Sequence, residues 1–131
     1  MRLVNYFYYT GRPKDFSPFI DFIFLKRGEK IIQGFPSSYY RDLPQIDYDY
    51  IFIDGPTFRK DKRSPKCFNA DLINIIKKNK SIIINRIIDQ RILNYIIFKK
   101  LLPDADIKYN VIKKLGFINS VSHQDLDLEK N

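Results

Sequence analysis

The sequence has too few cysteines and histidines for several common kinds of site. It contains a single cysteine, Cys67, and a single histidine, His123. One cysteine excludes a disulfide framework, and one of each residue leaves no Cys/His zinc site. A chain without disulfides is typical of a reducing compartment, so we expect a cytoplasmic protein.

Long apolar runs are also absent. No stretch of the chain reaches the roughly 18 apolar residues needed to cross a bilayer, and the first residues lack a signal-peptide core. We therefore expect a soluble protein with no membrane partner. A hydrophobic content of 44% excludes disorder, because such a chain can bury enough apolar surface to offset its loss of conformational entropy.

The length of 131 residues favours one domain. We assign residues 1–121 to a single α/β domain, and residues 122–131 (SHQDLDLEKN) to a polar tail that we expect to be frayed.

Positive charge is concentrated in the middle of the chain. The net charge is +8, and residues 59–114 carry fifteen basic and five acidic side chains, whereas residues 1–58 carry seven of each. This basic part could attract nucleic acid or another anionic partner. It forms no single basic stripe and contains no motif of a nucleic-acid-binding fold, so we favour ordinary solvated surface.

The order of elements is clearest from residue 48 onwards. Residues 48–53 (YDYIFI) form a short apolar run, typical of a buried strand, and Asp54-Gly55-Pro56 ends it sharply. Downstream, the pattern predicts a helix from Ser64-Pro65 to Asn79, a buried strand over residues 81–84 that extends towards 88, a helix over residues 90–102, and an antiparallel pair over residues 107–112 and 117–121.

The pattern before residue 48 is less regular. Residues 2–9 predict a strand. Residues 18–27 predict a short buried helix that ends at Gly28, although the segment FIDFIFL also suits a strand. Residues 29–47 contain Gly34, Pro36 and Pro44 and are interpreted as loop.

Alternating strands and helices predict a Rossmann-like, mostly parallel sheet that is covered on both faces and ends in an antiparallel strand pair. Ligands of such sheets bind at the carboxyl ends of the strands. This rule directs attention to Asp54 and to residues 85–91.

Four segments together resemble the second half of class I S-adenosylmethionine-dependent methyltransferases. They are residues 48–56 (YDYIFIDGP), 67–76 (CFNADLINII), 81–91 (SIIINRIIDQR) and 92–102 (ILNYIIFKKLL). In that family a strand ending in Asp-Gly-Pro is the fourth of the sheet, and a helix, a fifth strand, another helix and an antiparallel sixth and seventh strand follow. The resemblance implies transfer of a methyl group from S-adenosylmethionine to an acceptor.

The chain departs from the family where the cofactor should bind. The family holds S-adenosylmethionine with a glycine-rich turn and an acidic residue after the first two strands, but the five glycines here include no G-x-G pair. We therefore expect an incomplete domain, inactive alone and completed by missing N-terminal elements, a partner chain or a homo-oligomer. The alternatives are a small basic α/β module that binds nucleic acid or a protein, and another Rossmann-like transferase such as a glycosyltransferase.

Two carboxylates are the candidate catalytic residues. Asp54 follows the first strand and could orient an acceptor or take its proton, or it could only cap the turn. Asp89 lies just past the strand that is predicted over residues 81–84 and towards 88, where capping of the next helix is the competing role. A Mg²⁺ ion shared by these residues with Asn85 is disfavoured, because Asn85 precedes Asp89 by four residues.

Basic residues near these carboxylates are the candidate substrate-binding groups. Arg59, Lys60 and Arg63 follow the Asp-Gly-Pro turn, and Arg91 follows Asp89. Together they suit an anionic small-molecule acceptor. A solvated loop is the competing interpretation of the first three.

We predict that the chain alone does not behave as a well-formed monomer. A parallel sheet cut through its middle leaves an open strand edge and an apolar face, both of which promote association. Size-exclusion chromatography with light scattering, combined with thermal denaturation, measures this. A monodisperse monomer that unfolds cooperatively would contradict the expectation.

Overall fold

The structure is a computed structural model that describes residues 3–6 and 20–128. These residues form a mixed α/β fold. The strands are β1 (Leu3–Tyr6), β2 (Ile20–Ile23), β3 (Arg27–Ile32), β4 (Phe35–Tyr40), β5 (Tyr50–Ile53), β6 (Phe68–Asn69), β7 (Ile83–Asp89), β8 (Asp106–Asn110) and β9 (Leu115–Ser122), and the α-helices are α1 (Asp71–Lys78) and α2 (Ile92–Leu101).

The four-stranded sheet has the order β5-β7-β9-β8. Strands β5 and β7 are parallel, whereas β9 is antiparallel to both of its neighbours. The sheet is therefore mixed and not mostly parallel as expected, because β9 returns between β7 and β8. Its elements follow one another from residue 48 in the predicted order of strand, helix, strand, helix and antiparallel pair, with the short strand β6 added before α1.

A second sheet has the order β3-β4-β6, with β3 and β4 antiparallel and β6 parallel to β4. The loop predicted over residues 29–47 is thus wrong for its first half. The hairpin turns at Gln33-Gly34, where both φ angles are positive (52° and 82°), the backbone geometry that suits a two-residue hairpin. Gly28 pairs with Tyr39 inside this hairpin and does not end a helix.

The helix predicted over residues 18–27 is also wrong. Ile20–Ile23 is strand β2, which pairs in parallel with β1, and Arg27 begins β3. Aromatic and β-branched residues favour a strand, and the strand alternative for FIDFIFL is the observed one. Residues 18 and 19, and residues 2 and 7–9 of the first predicted strand, lie outside the described residues.

Helix α1 begins at Asp71 and not at Ser64-Pro65. The Ser64 backbone N–H and hydroxyl both donate to the carboxylate of Asp61, each at 3.0 Å. The side chain that was expected to cap the helix thus closes a turn instead. The predicted end of the helix at Asn79 is confirmed.

The last described residues pack against the domain, which differs from the frayed tail expected there. A 3-10 helix spans His123–Asp125, and the backbone N–H of Asp127 donates to the carbonyl oxygen of Leu101 at 2.8 Å. Leu126 and Leu128 contact the core.

One hydrophobic core joins both helices to one face of the four-stranded sheet. Its buried members include Ile76 of α1, Phe98 of α2, and Ile87 and Ile118 of the sheet. Among the described residues the opposite face carries exposed aromatic side chains, with Tyr50 and Phe52 60% and 58% exposed. Within the described residues the sheet is therefore covered on one face and not on both as expected, because α1 and α2 share a single core.

We predict that Ile87→Ala lowers the free energy of unfolding by about 2–5 kcal/mol, because it leaves a cavity at a fully buried position of β7. Ile83→Ala is the matched control in the same strand, since that side chain is 61% exposed, and it should cost less than about 1 kcal/mol. Urea denaturation measures both values. Equal losses would contradict the assignment of the core face.

Candidate functional site

Strands β5 and β7 end level with each other. Ile53 lies opposite Asp89 in the parallel pairing. We give the name rim to two segments at these strand ends. They are Asp54-Gly55-Pro56, which follows β5, and Asp89-Gln90-Arg91, which begins at the last residue of β7. The Gly55–Pro56 peptide bond of the rim is cis. The Nη1 atom of Arg91 donates to the carbonyl oxygen of Pro56 at 2.8 Å. The structure thus brings together the two segments that the sequence places at strand ends.

Asp89 is fully buried at the inner side of the rim. Its Oδ1 atom accepts a hydrogen bond from the Arg91 backbone N–H at 2.8 Å, and its Oδ2 atom accepts one from the side-chain amide of Asn94. Helix α2 begins at Ile92, so Asp89 binds the backbone just ahead of the helix. This carboxylate therefore holds the rim and α2 together.

Asn94, Asn69 and Asp71 extend this contact into a network of hydrogen bonds. The Asn94 Oδ1 atom accepts from the Asn69 backbone N–H at 2.8 Å. The Asn69 side-chain amide donates to the Gly55 carbonyl at 2.8 Å and to Asp71 at 2.9 Å. The network, defined as Asp89, Asn94, Asn69 and Asp71, connects the ends of β5, β6 and β7 with the first turns of both helices.

The sequence pattern did not single out Asn69, Asp71 or Asn94. All three lie in the apolar segments CFNADLINII and ILNYIIFKKLL, where Asn69 and Asn94 are fully buried. A buried amide needs hydrogen-bond partners. An asparagine within an otherwise apolar segment was thus the sequence feature that could have identified Asn69 and Asn94.

Tyr40 packs against the Asp-Gly-Pro turn from β4. A Cβ atom at Gly55 would lie 2.2 Å from the Tyr40 hydroxyl oxygen, so only glycine permits this approach. The Tyr40 backbone N–H donates to Asp71 at 2.8 Å. Burial raises the pKa of the Tyr40 phenol, and the nearby charge of Asp71 adds to that effect.

Burial also controls the protonation of the two network carboxylates. It raises the pKa of Asp89 to about 6, although hydrogen bonds from Arg91 and Asn94 oppose the shift. Burial likewise raises the pKa of Asp71 to about 6, against hydrogen bonds from Asn69 and Tyr40. Loss of hydration therefore outweighs the hydrogen bonds at both residues.

The remaining predicted site residues lie outside the network. Asp54 is exposed at the rim, and Arg59, Lys60 and Arg63 are exposed in the loop that follows. The Arg91 guanidinium lies 5.5 Å from the centre of the Phe58 ring. Of the four basic residues, Arg91 is therefore the one whose side chain forms a hydrogen bond with a backbone group of the rim, the Pro56 carbonyl.

Asn85 lies at the other end of β7. Its backbone N–H donates to the Asp49 carbonyl at 2.9 Å, ahead of β5. Four strand residues span about 13 Å, which separates Asn85 from Asp89. Residues 3–6 and 20–128 contain no group of three His, Cys, Asp or Glu side chains placed to hold a metal ion.

No protein family matches the sequence, and no curated protein and no solved structure matches the chain. Within the described residues, no helix combines the length and the apolar surface that a bilayer crossing requires.

We predict that the free energy of unfolding is roughly 2–4 kcal/mol lower at about pH 7 than at about pH 4.5 through the two network carboxylates. Asp71 and Asp89 have pKa values near 6 in the folded chain, above the ordinary value in the unfolded chain. The folded state therefore binds protons more tightly, and this contribution is lost as the pH rises through 6. Urea denaturation across this pH range measures the change.

Asp71→Asn tests the assignment because it removes one of the two titrating groups. The variant should lose about half of the pH dependence. Asp104→Asn, at an exposed position after α2, is the control and should leave it unchanged. Stability that is constant or increases over this range in the unmodified chain would contradict the burial argument.

Proposed function

We propose that this chain supplies the acceptor side of a class I methyltransferase-like domain and that the acceptor binds at the rim. The observation that carries the proposal is the level, parallel ending of β5 and β7, with Arg91 bonded to the Pro56 carbonyl. Ligands of α/β sheets bind outside the carboxyl ends of parallel strands, which is where the rim lies.

The order of elements supports the same conclusion. From β5 onwards the chain runs through α1, β7, α2 and the antiparallel pair of β8 and β9, which is the order that the resemblance implies for the second half of the family domain. The order alone does not name a reaction. A proposal for the reaction therefore depends on the side chains at the rim.

Asp54 is the group we assign to the acceptor. It is exposed directly after β5, so its carboxylate can accept a hydrogen bond from an acceptor hydroxyl or amine, orient that group and take up its proton. Asp89 acts differently because protein encloses it fully. It positions the backbone of Arg91 through the 2.8 Å hydrogen bond.

Arg91 is the group we assign to an anionic part of the acceptor. One guanidinium nitrogen is bonded to Pro56, and the Phe58 ring lies beside the guanidinium, so the side chain is held in place before a ligand arrives. A guanidinium can bind a carboxylate or phosphate through two parallel hydrogen bonds. Arg59, Lys60 and Arg63 add positive charge in the adjacent loop.

The residues at the rim do not fit S-adenosylmethionine itself. The glycine of the rim, Gly55, faces the Tyr40 hydroxyl, which fills the space beside it, and the sequence contains no G-x-G pair. The cofactor would supply the methyl group, but these residues provide no cradle for it. The open sheet face with Tyr50 and Phe52 suits a domain that further structure completes.

We predict that methyl transfer is detectable when the tagged chain is purified from the cells that naturally produce it, so that any complementing chain is recovered with it. This material should transfer labelled methyl groups from S-adenosylmethionine to compounds in a small-molecule extract. Asp54→Asn should reduce this transfer about 10²-fold or more, the usual contribution of a positioned proton acceptor. Asp104→Asn is the control and should retain full transfer. Scintillation counting of the separated products measures the rate.

Two results would contradict the proposal. One is the absence of methyl transfer in the recovered material, and the other is equal transfer by Asp54→Asn and the unmodified chain. Isothermal titration of the chain alone with S-adenosylmethionine should give no micromolar binding. Salt-sensitive binding to RNA or DNA that survives Asp54→Ala would instead favour the basic binding module.

A further inference from the structure

A cleft of about 430 Å³ lies between the β3–β4 hairpin, the loop over residues 42–48 and α1. Tyr40, which packs against Gly55 of the rim, is also one of its lining residues. Its α1 residues are Asn74, Ile75 and Lys78, whereas the polar network uses Asp71, the first residue of the helix. A volume of this size is in the range of small-molecule sites. The residues that the argument uses are Lys30, Tyr39, Asn74, Lys78, Pro44 and Ile46.

The cleft holds an amine in a fixed position. The ammonium group of Lys30 donates to the side-chain oxygen of Asn74 on α1. It also lies 5.0 Å from the centre of the Tyr39 ring. Partners on α1 and β4 thus restrain the flexible Lys30 side chain. Binding of a ligand therefore costs less side-chain conformational entropy than it would at an unrestrained lysine.

Positive charge exceeds negative charge around this amine. Lys78 also lines the cleft, and Asp42 is the acidic residue of the lining. Burial lowers the pKa of Lys30, and the charges of Lys77 and Lys78 lower it further, whereas Asp71 opposes them. An anion placed between Lys30 and Lys78 would offset this repulsion.

The loop over residues 42–48 lines another side of the cleft, with apolar residues beside Asp42 and Gln45. Pro44 and Ile46 line it, and the Tyr48 hydroxyl donates to the Pro44 carbonyl at 2.6 Å. The Ile46 backbone N–H donates to the same oxygen at 3.2 Å. The loop therefore contributes Pro44 and Ile46 to a cleft that the Tyr39 ring also lines, which suits a flat apolar body.

From this arrangement we infer that the cleft is a binding site for a small aromatic anion, whose charged group pairs with Lys30 and Lys78 and whose ring lies between Tyr39 and the loop over residues 42–48. The site is separate from the proposed acceptor site, and it does not depend on methyl transfer.

Phenyl phosphate is the probe, and ¹H–¹⁵N NMR titration is the measurement. The backbone signals that shift should be those of residues 30, 39, 45, 46, 74 and 78. Benzyl alcohol, which has the ring without the charge, should bind at least about tenfold more weakly. Inorganic phosphate, which has the charge without the ring, should also bind more weakly.

The lysines provide matched variants. Lys30→Met and Lys78→Met should each weaken phenyl phosphate binding about tenfold, because each removes a charge-assisted contact. Lys99→Met removes the same charge from an exposed position of α2, outside the cleft, and should change affinity less than about threefold. Lys78 is exposed, so its variant keeps the test valid if Lys30→Met does not fold.

Three results would overturn the inference. They are an absence of shifts at millimolar phenyl phosphate, shifts confined to residues 59–63 and 91, and equal weakening by Lys99→Met and Lys78→Met. The second result would instead assign the anion to the proposed acceptor site at the rim. It would thereby leave that proposal standing while removing this one.

Discussion

The structure depends on one buried carboxylate whose oxygens accept hydrogen bonds from protein groups. Asp89 ends the second strand of the only parallel pair in the described four-stranded sheet, and Asn94 of α2 and the Arg91 backbone bind its oxygens. A carboxylate without such partners would be too costly to bury. The hydrogen bonds therefore determine where α2 starts relative to β7, and through Asn69 they also locate the Asp-Gly-Pro turn.

This constraint divides the rim into two kinds of residue. The buried residues Asp89, Asn94 and Asn69 bind one another and fix the backbone. The outer residues Asp54 and Arg91 retain contact with solvent and thus access to a ligand. Rigid support beneath reactive side chains is what positioning of an acceptor requires. On the basis of this division we propose different roles for Asp54 and Asp89.

The sequence predicted the half of the fold in which apolar segments are long and their boundaries sharp. The β5-to-β9 order followed from such segments, and Asn79 ended α1 as expected. The hairpin was missed because Gln33-Gly34 is a weaker turn signal than Asn-Gly. The start of α1 was misplaced because Ser64 binds Asp61, a contact that local pattern does not reveal. The network was missed for a similar reason, since the contacts that join its parts, from Asn69 to Asn94 and to Gly55, span 25 and 14 positions of the sequence.

A double-mutant cycle between Asp89 and Asn94 tests the central claim most directly. The free energies of unfolding are measured by urea denaturation for Asp89→Ala, Asn94→Ala and the double variant. If the amide of Asn94 compensates the buried carboxylate, the two losses should be non-additive, with a coupling energy of about 1–3 kcal/mol. Losses that simply add would show that the two side chains act independently, and the account of the rim would be wrong.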